Sequence, residues 1–101
     1  MPLSANFSDG DTKLVLKVHG DFDVATMREF SEYTKKDLSK ITSFVIDLDG
    51  LRAINSSALG MLLLLRTRAG GDSADISIIH ANDNVKQMMN MANFGQLFKI
   101  S

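Results

Sequence analysis

Asn55-Ser56-Ser57 places two hydroxyls immediately before the strongly helical stretch Ala58 to Ala69 and shortly after the apolar run Phe44-Val45-Ile46-Asp47-Leu48. A hydroxyl at a helix start can cap the helix, attack a substrate or accept a phosphate. The first use is the commonest, and Asn55 or Ser56 would serve as an N-cap equally well. The second needs a base and a tight elbow. His80, at the end of a later strand, is the conceivable base, but Ile54 and Ala58 occupy the positions where Gly-x-Ser-x-Gly requires glycine. The third use suits the location physically. The N–H groups and partial positive charge of a helix N-terminus hold a phosphate rather than repel it. Spacing alone does not separate cap from phosphoacceptor.

Other residues that could carry chemistry are Asp21, Asp23, Asp47 and Asp49. An acidic cation pocket needs carboxylates converging at strand ends beside a lysine. Asp21 and Asp23 instead stand where a helix begins, so turn and cap duty is the reading for this group. The chain has no cysteine, which removes disulfides, thiolate catalysis and cysteine-ligated metals together. It also lacks a Gly-x-x-x-x-Gly-Lys phosphate loop. No catalytic residue, metal or cofactor is expected.

Elements that position these residues follow from hydrophobic spacing. Leu14, Leu16 and Val18 alternate with Lys13, Lys17 and His19 as in a half-buried strand, and Gly10-Asp11 signals a hairpin from an earlier strand near Ala5 to Phe7. Asp23 caps a helix that begins at Val24 and is expected to run to about Lys40. Phe44 to Leu48 reads as a central strand covered on both faces. The helix from Ala58 stops at Gly70-Gly71. It is apolar nearly all round, with Leu59, Leu62, Leu63 and Arg66 taken as its inner face. Ile76 to Ile79 is a further strand. Asn82 or Asp83 then caps a helix that buries Val85, Met88, Met89 and Ala92 and ends at Gly95, leaving Met91 and Phe94 for exposure. A last strand uses Leu97 to Ile100. The order β-β-α-β-α-β-α-β predicts one α/β domain over residues 1–101, with a mainly parallel sheet of four to five strands.

Composition narrows the function classes. Eleven Lys and Arg balance twelve Asp and Glu for a net charge of −1, without the basic stripe of a nucleic-acid binder. No signal segment opens the chain, and the longest apolar run, Met61 to Leu65, is far below the ~20 residues of a membrane span. A soluble, cytoplasmic protein with no nucleic-acid or membrane partner is the expectation.

The strand Phe44 to Leu48 followed by Asn55-Ser56-Ser57-Ala58-Leu59-Gly60-Met61-Leu62-Leu63 resembles the signature of STAS domains, in particular the bacterial anti-sigma-factor antagonists, whose segment reads close to Asp-Ser-Ser-Gly-Leu-Gly. Gly20-Asp21-Phe22-Asp23 resembles the family's Gly-x-x-Asp at its first helix. The likeness spans about Leu14 to Phe98. It departs at Asn55, where the family often has Asp, and at Ala58, where it often has Gly. The resemblance implies a STAS-type α/β fold and a non-enzymatic role. An unphosphorylated antagonist binds an anti-sigma factor, often itself a serine kinase of GHKL type. Phosphorylation ends the complex and a serine phosphatase restores it.

By that resemblance Ser56 is the phosphoacceptor, Asp23 lies near it, and Asn55, Ser57, Ala58, Leu59 and Met61 are its partner-binding surroundings. The alternative is a STAS-like ligand- or nucleotide-binding module, a regulatory part of a larger sensory assembly. Gly60 is expected to allow close helix packing, so that Gly60→Leu would destabilise.

Overall fold

A computed structural model describes residues 3–10, 12–35 and 38–101. The chain opens with strands β1 (Leu3–Ser8) and β2 (Lys13–Val18), followed by a two-residue strand β3 (Gly20–Asp21) and helix α1 (Val24–Thr34). Strand β4 (Ser43–Asp47), the short strand β5 (Leu51–Ala53) and helix α2 (Ser56–Arg68) come next. Strand β6 (Ile76–Ile79), helix α3 (Asp83–Met91) and strand β7 (Lys99–Ile100) complete it.

Five strands form one sheet in the order β1-β2-β4-β6-β7, which is also their order along the chain. β1 pairs antiparallel with β2, and the remaining pairs are parallel. Each crossover therefore steps the same way across the sheet, and the right-handed rule for parallel connections puts all three helices on one face. Burial agrees. Leu14, Leu16, Val18, Phe44, Ile46, Ile76 and Ile78 are buried, whereas Val15, Val45, Ser77 and Ile79 on the alternate face are half-buried. The expectation that β4 is covered on both faces is corrected accordingly. Val45 stands in register between Val15 and Ser77 on the helix-free side, so its apolar character reflects cross-strand packing rather than a second layer.

The β1–β2 turn falls at Asp9 and Gly10, which both have positive φ, one residue ahead of the expected Gly10-Asp11; Asp11 lies outside the described residues. α1 ends at Thr34 rather than near Lys40. The apolar residues beyond it, Leu38 and Ile41, reach the core through a turn closed by Ile41 N–H on the Leu38 carbonyl. α3 stops at Met91, and the left-handed residue that follows is Asn93, not Gly95. Asn tolerates that conformation through its short polar side chain.

The helices also meet the core differently from the spacing-based reading. α2 buries Ala58, Leu62 and Leu65 at i, i+4 and i+7, while Leu63 is exposed. A helix apolar on every side carries no phase of its own, so the sheet chose the face. Arg66 runs along the boundary, with Nε 3.3 Å from the Leu97 carbonyl and Nη2 2.9 Å from Asp72. On α3, Val85 and Met89 are buried but Met88 and Ala92 are exposed. Phe94 is buried rather than exposed, its ring 5.0 Å from that of Phe98. Gly60 faces open space, with nothing within 4 Å of where a Cβ would stand, so the expected close packing there is absent.

Candidate functional site

Two short strands absent from the spacing-based reading shape the site. β3 and β5 pair parallel in a separate two-stranded ribbon beyond the carboxyl ends of β2 and β4. Loops at that edge of an open α/β sheet are where ligands and partners gather. The ribbon is held by Gly20 N–H on the Gly50 carbonyl at 3.0 Å and by a two-bond ion pair. In that pair Arg52 Nε lies 3.3 Å from Asp21 Oδ1, and Arg52 Nη2 lies 2.9 Å from Oδ2. Gly50 has φ +86, and a Cβ there would lie 3.2 Å from that of His19, so both conformation and space select glycine.

β3 leads into α1 and β5 into α2, so the ribbon sets two helix starts side by side. Asp23 caps α1, its Oδ1 accepting the Thr26 N–H at 2.9 Å and the Thr26 hydroxyl at 3.0 Å. Those bonds from Thr26 hold the Asp23 carboxyl below its usual range. Asn55 caps α2, its Oδ1 accepting the Ala58 N–H at 2.9 Å. A groove of about 280 Å³ lies between the two caps, lined by Asp21, Phe22, Asp23, Ala53, Ile54 and Asn55. Its floor is apolar through Phe22 and Ile54, and its rim is acidic.

Ser56 is the first residue of α2 and is exposed, as is Ser57. Of the two cap candidates, Asn55 or Ser56, the helix uses Asn55, and the Ser56 hydroxyl is left out of capping. The N–H groups of the first helical turn have no intrahelical acceptor. Among the described residues that of Ala58 is met by the Asn55 side chain, while the Asn55 carbonyl accepts the Leu59 N–H as the first bond of the helix ladder. From Ser56 an exposed stripe runs along α2 through Ser57, Gly60, Leu63, Leu64 and Thr67. Leu59 and Met61 flank it half-buried. Ala58 is fully buried, so its assignment to the surface around Ser56 is corrected: the third residue of this helix points into the core.

The acidic residues do separate work. Asp21 is in the ion pair, Asp23 is a cap, and Asp47 bonds the Asp49 N–H and the His80 ring. Among the described residues no three His, Asp or Glu side chains converge as a cation would require. Sequence reasoning missed Arg52 and the second role of Asn82, whose side-chain nitrogen reaches the carbonyls of Leu51 and Arg52 at 3.0 and 3.2 Å. Both contacts link residues 30 or 31 apart in the chain, a range at which local spacing is silent.

Residues 5–99 match the family described as "Mlab, STAS domain". A STAS-domain containing protein of Pseudomonas aeruginosa (strain UCBPP-PA14) is 37% identical over 101 residues, covering all of both chains. Among solved structures, the unphosphorylated form of the anti-sigma factor antagonist SpoIIAA superposes with a TM-score of 0.82 at 11% identity, over 98% of this chain and 87% of the other. A putative anti-sigma factor antagonist from Thermotoga maritima gives a TM-score of 0.77 at 14% identity, over 97% and 84%. At these identities the structures speak for the fold, while the profile match and the full-length relative speak for ancestry. The chain belongs to the STAS domain family.

Proposed function

We propose that this protein is an anti-sigma factor antagonist that works by partner switching, binding an anti-sigma factor while Ser56 is a free hydroxyl and releasing it once Ser56 is phosphorylated. The observation that carries this reading is the position of Ser56: exposed, first in α2, spared from capping by Asn55, and at the head of an exposed stripe that includes Leu63 and Leu64. A partner seated on that stripe packs against an uncharged helix start. Phosphorylation would add roughly −1.5 to −2 charges there, beside the acidic rim of Asp21 and Asp23. The uncapped N–H groups of the first turn would hold the phosphate on this chain, and a docked partner would have to desolvate it. Two of the fold neighbours are anti-sigma factor antagonists by name.

The role is non-enzymatic and cytoplasmic, and the other members of the cycle are a serine kinase of GHKL type, often the anti-sigma factor itself, and a serine phosphatase. The groove between the two caps favours a second reading, a ligand-binding STAS module within a larger assembly. Its acidic rim disfavours a nucleotide phosphate, and a thermal shift on adding nucleotide would bring that reading forward.

Native-host lysate passed over Ser56→Ala and Ser56→Asp baits tests the switch. Capture of a kinase-type anti-sigma factor by the Ala bait alone, together with phosphate mapped to Ser56 in the native protein, is the expected result. Equal capture by both baits with no phosphate at Ser56 would end this reading.

A further inference from the structure

β5 is weakly anchored by its own strand pairing. It has three residues, pairs only with the two of β3 in an irregular register, and joins no strand of the main sheet. Yet it leads through Ile54 and Asn55 directly to Ser56. What ties it to the opposite side of the site is a side chain, Asn82, which comes from the start of α3.

All the hydrogen-bonding groups of that side-chain amide are used. Oδ1 accepts the Val85 N–H at 2.8 Å and caps α3. Nδ2 carries two hydrogens and meets two consecutive carbonyls, Leu51 at 3.0 Å and Arg52 at 3.2 Å. The opposite orientation would set Oδ1 against both carbonyls, so the surroundings select one. Aspartate or serine would cap α3 as well as asparagine does, but neither supplies two N–H donors. Capping therefore does not account for asparagine here, whereas the double contact to β5 does. The chain is brought to this point by His80, whose φ of +63 turns it sharply after β6.

We infer that Asn82 is a positioning residue for Ser56, fixing through the carbonyls of Leu51 and Arg52 the strand that hands Ser56 to the start of α2. Its importance to function rests on the partner-switching reading; its effect on the geometry does not. The far end of β5 is pinned by Ile54, buried to 9% exposure. Leu51, 2% exposed, and Ile54 root the two ends of the segment in the core, and Asn82 fixes the main chain between them through the carbonyls of Leu51 and Arg52.

The test is residue-resolved amide hydrogen exchange on the full-length chain and its Asn82→Asp and Asn82→Ser variants. Both variants keep an acceptor for the Val85 N–H, so α3 stays capped. The Ala58 and Leu59 amides, which bond to Asn55, are expected to exchange roughly tenfold faster in both, the effect of losing contacts of ordinary hydrogen-bond strength. Those of Met88 and Met89 within α3 should be unchanged. Unchanged exchange at Ala58 and Leu59 would overturn the inference, as would a uniform acceleration across the chain, which marks a purely structural residue. The switch is judged separately by the Ser56 baits. Were those to behave alike while Asn82→Asp still loosened Ala58, the positioning role would stand and partner switching would fall.

Discussion

His80 Nδ1 lies 2.9 Å from Asp47 Oδ1, so the residue that follows β6 is tied to the last residue of β4 at the same sheet edge that carries the site. An ionised carboxylate only accepts, which puts the hydrogen on Nδ1. Asp47 also accepts the Asp49 N–H at 3.0 Å, closing the turn that leads to Gly50 and β5.

Burial works to raise the Asp47 pKa, but the Asp49 N–H, the His80 ring and the charge of Lys17 outweigh it and hold the group below its ordinary value of 3.8. A carboxyl whose pKa is lower in the folded state contributes stability above its unfolded pKa and loses it as pH falls through the folded one. Asp47→Asn should therefore cost about 1 kcal/mol near pH 7, and the gap from wild type should close below pH 3.8. Urea unfolding at pH 7 and pH 3 measures this. An equal gap at both would show that the charge of Asp47 is immaterial.

Gly60 sits inside α2, exposed, with room for a Cβ. Gly60→Ala should stabilise the protein by about 0.5–1 kcal/mol, because alanine restricts the unfolded chain and strains nothing in the helix. For a domain of this size the melting temperature should rise by roughly 2–8 °C. A fall would mean that the helix is not regular at this residue.

The inner and outer faces of α2 separate by mutation. Leu62→Ala empties a fully buried position and should cost about 2–5 kcal/mol. Leu63→Ala, at a side chain 39% exposed, should cost less than about 1 kcal/mol. Thermal melts of the two variants side by side check the phase of the helix, and equal losses would contradict it.

The contrast between these two leucines also shows what could be read ahead of the structure. Strands of four or more residues with buried alternate positions, such as Lys13–Val18 and Ile76–Ile79, were legible because a sheet repeats every two residues. So was the cap Asp23, where the residue type is itself the mechanism; for α3 residue type narrowed the cap to Asn82 or Asp83. Gly20–Asp21 and Leu51–Ala53 were not, since so short a ladder has no period and sits in stretches that read as turns. The inner face of α2 was not, because Met61 to Leu65 is apolar without a break. At the site, Ser56 and Asp23 stood out by motif, and Asn55 as one of two candidate caps. Arg52 and the donor role of Asn82 did not, because each acts on a segment about thirty residues away.

Because the strands stand in the sheet in the order in which they are synthesised, each can dock on the edge left by its predecessor as the chain leaves the ribosome. Ser56 emerges midway through this growth, before β6 has come to lie beside β4. Asn82 follows twenty-six residues after Ser56, so a nascent chain carries that serine well before it carries the contact inferred to set it in place. Assembly from the N-terminus thus completes the proposed switch last, and a chain truncated ahead of α3 retains the serine without the geometry that presents it.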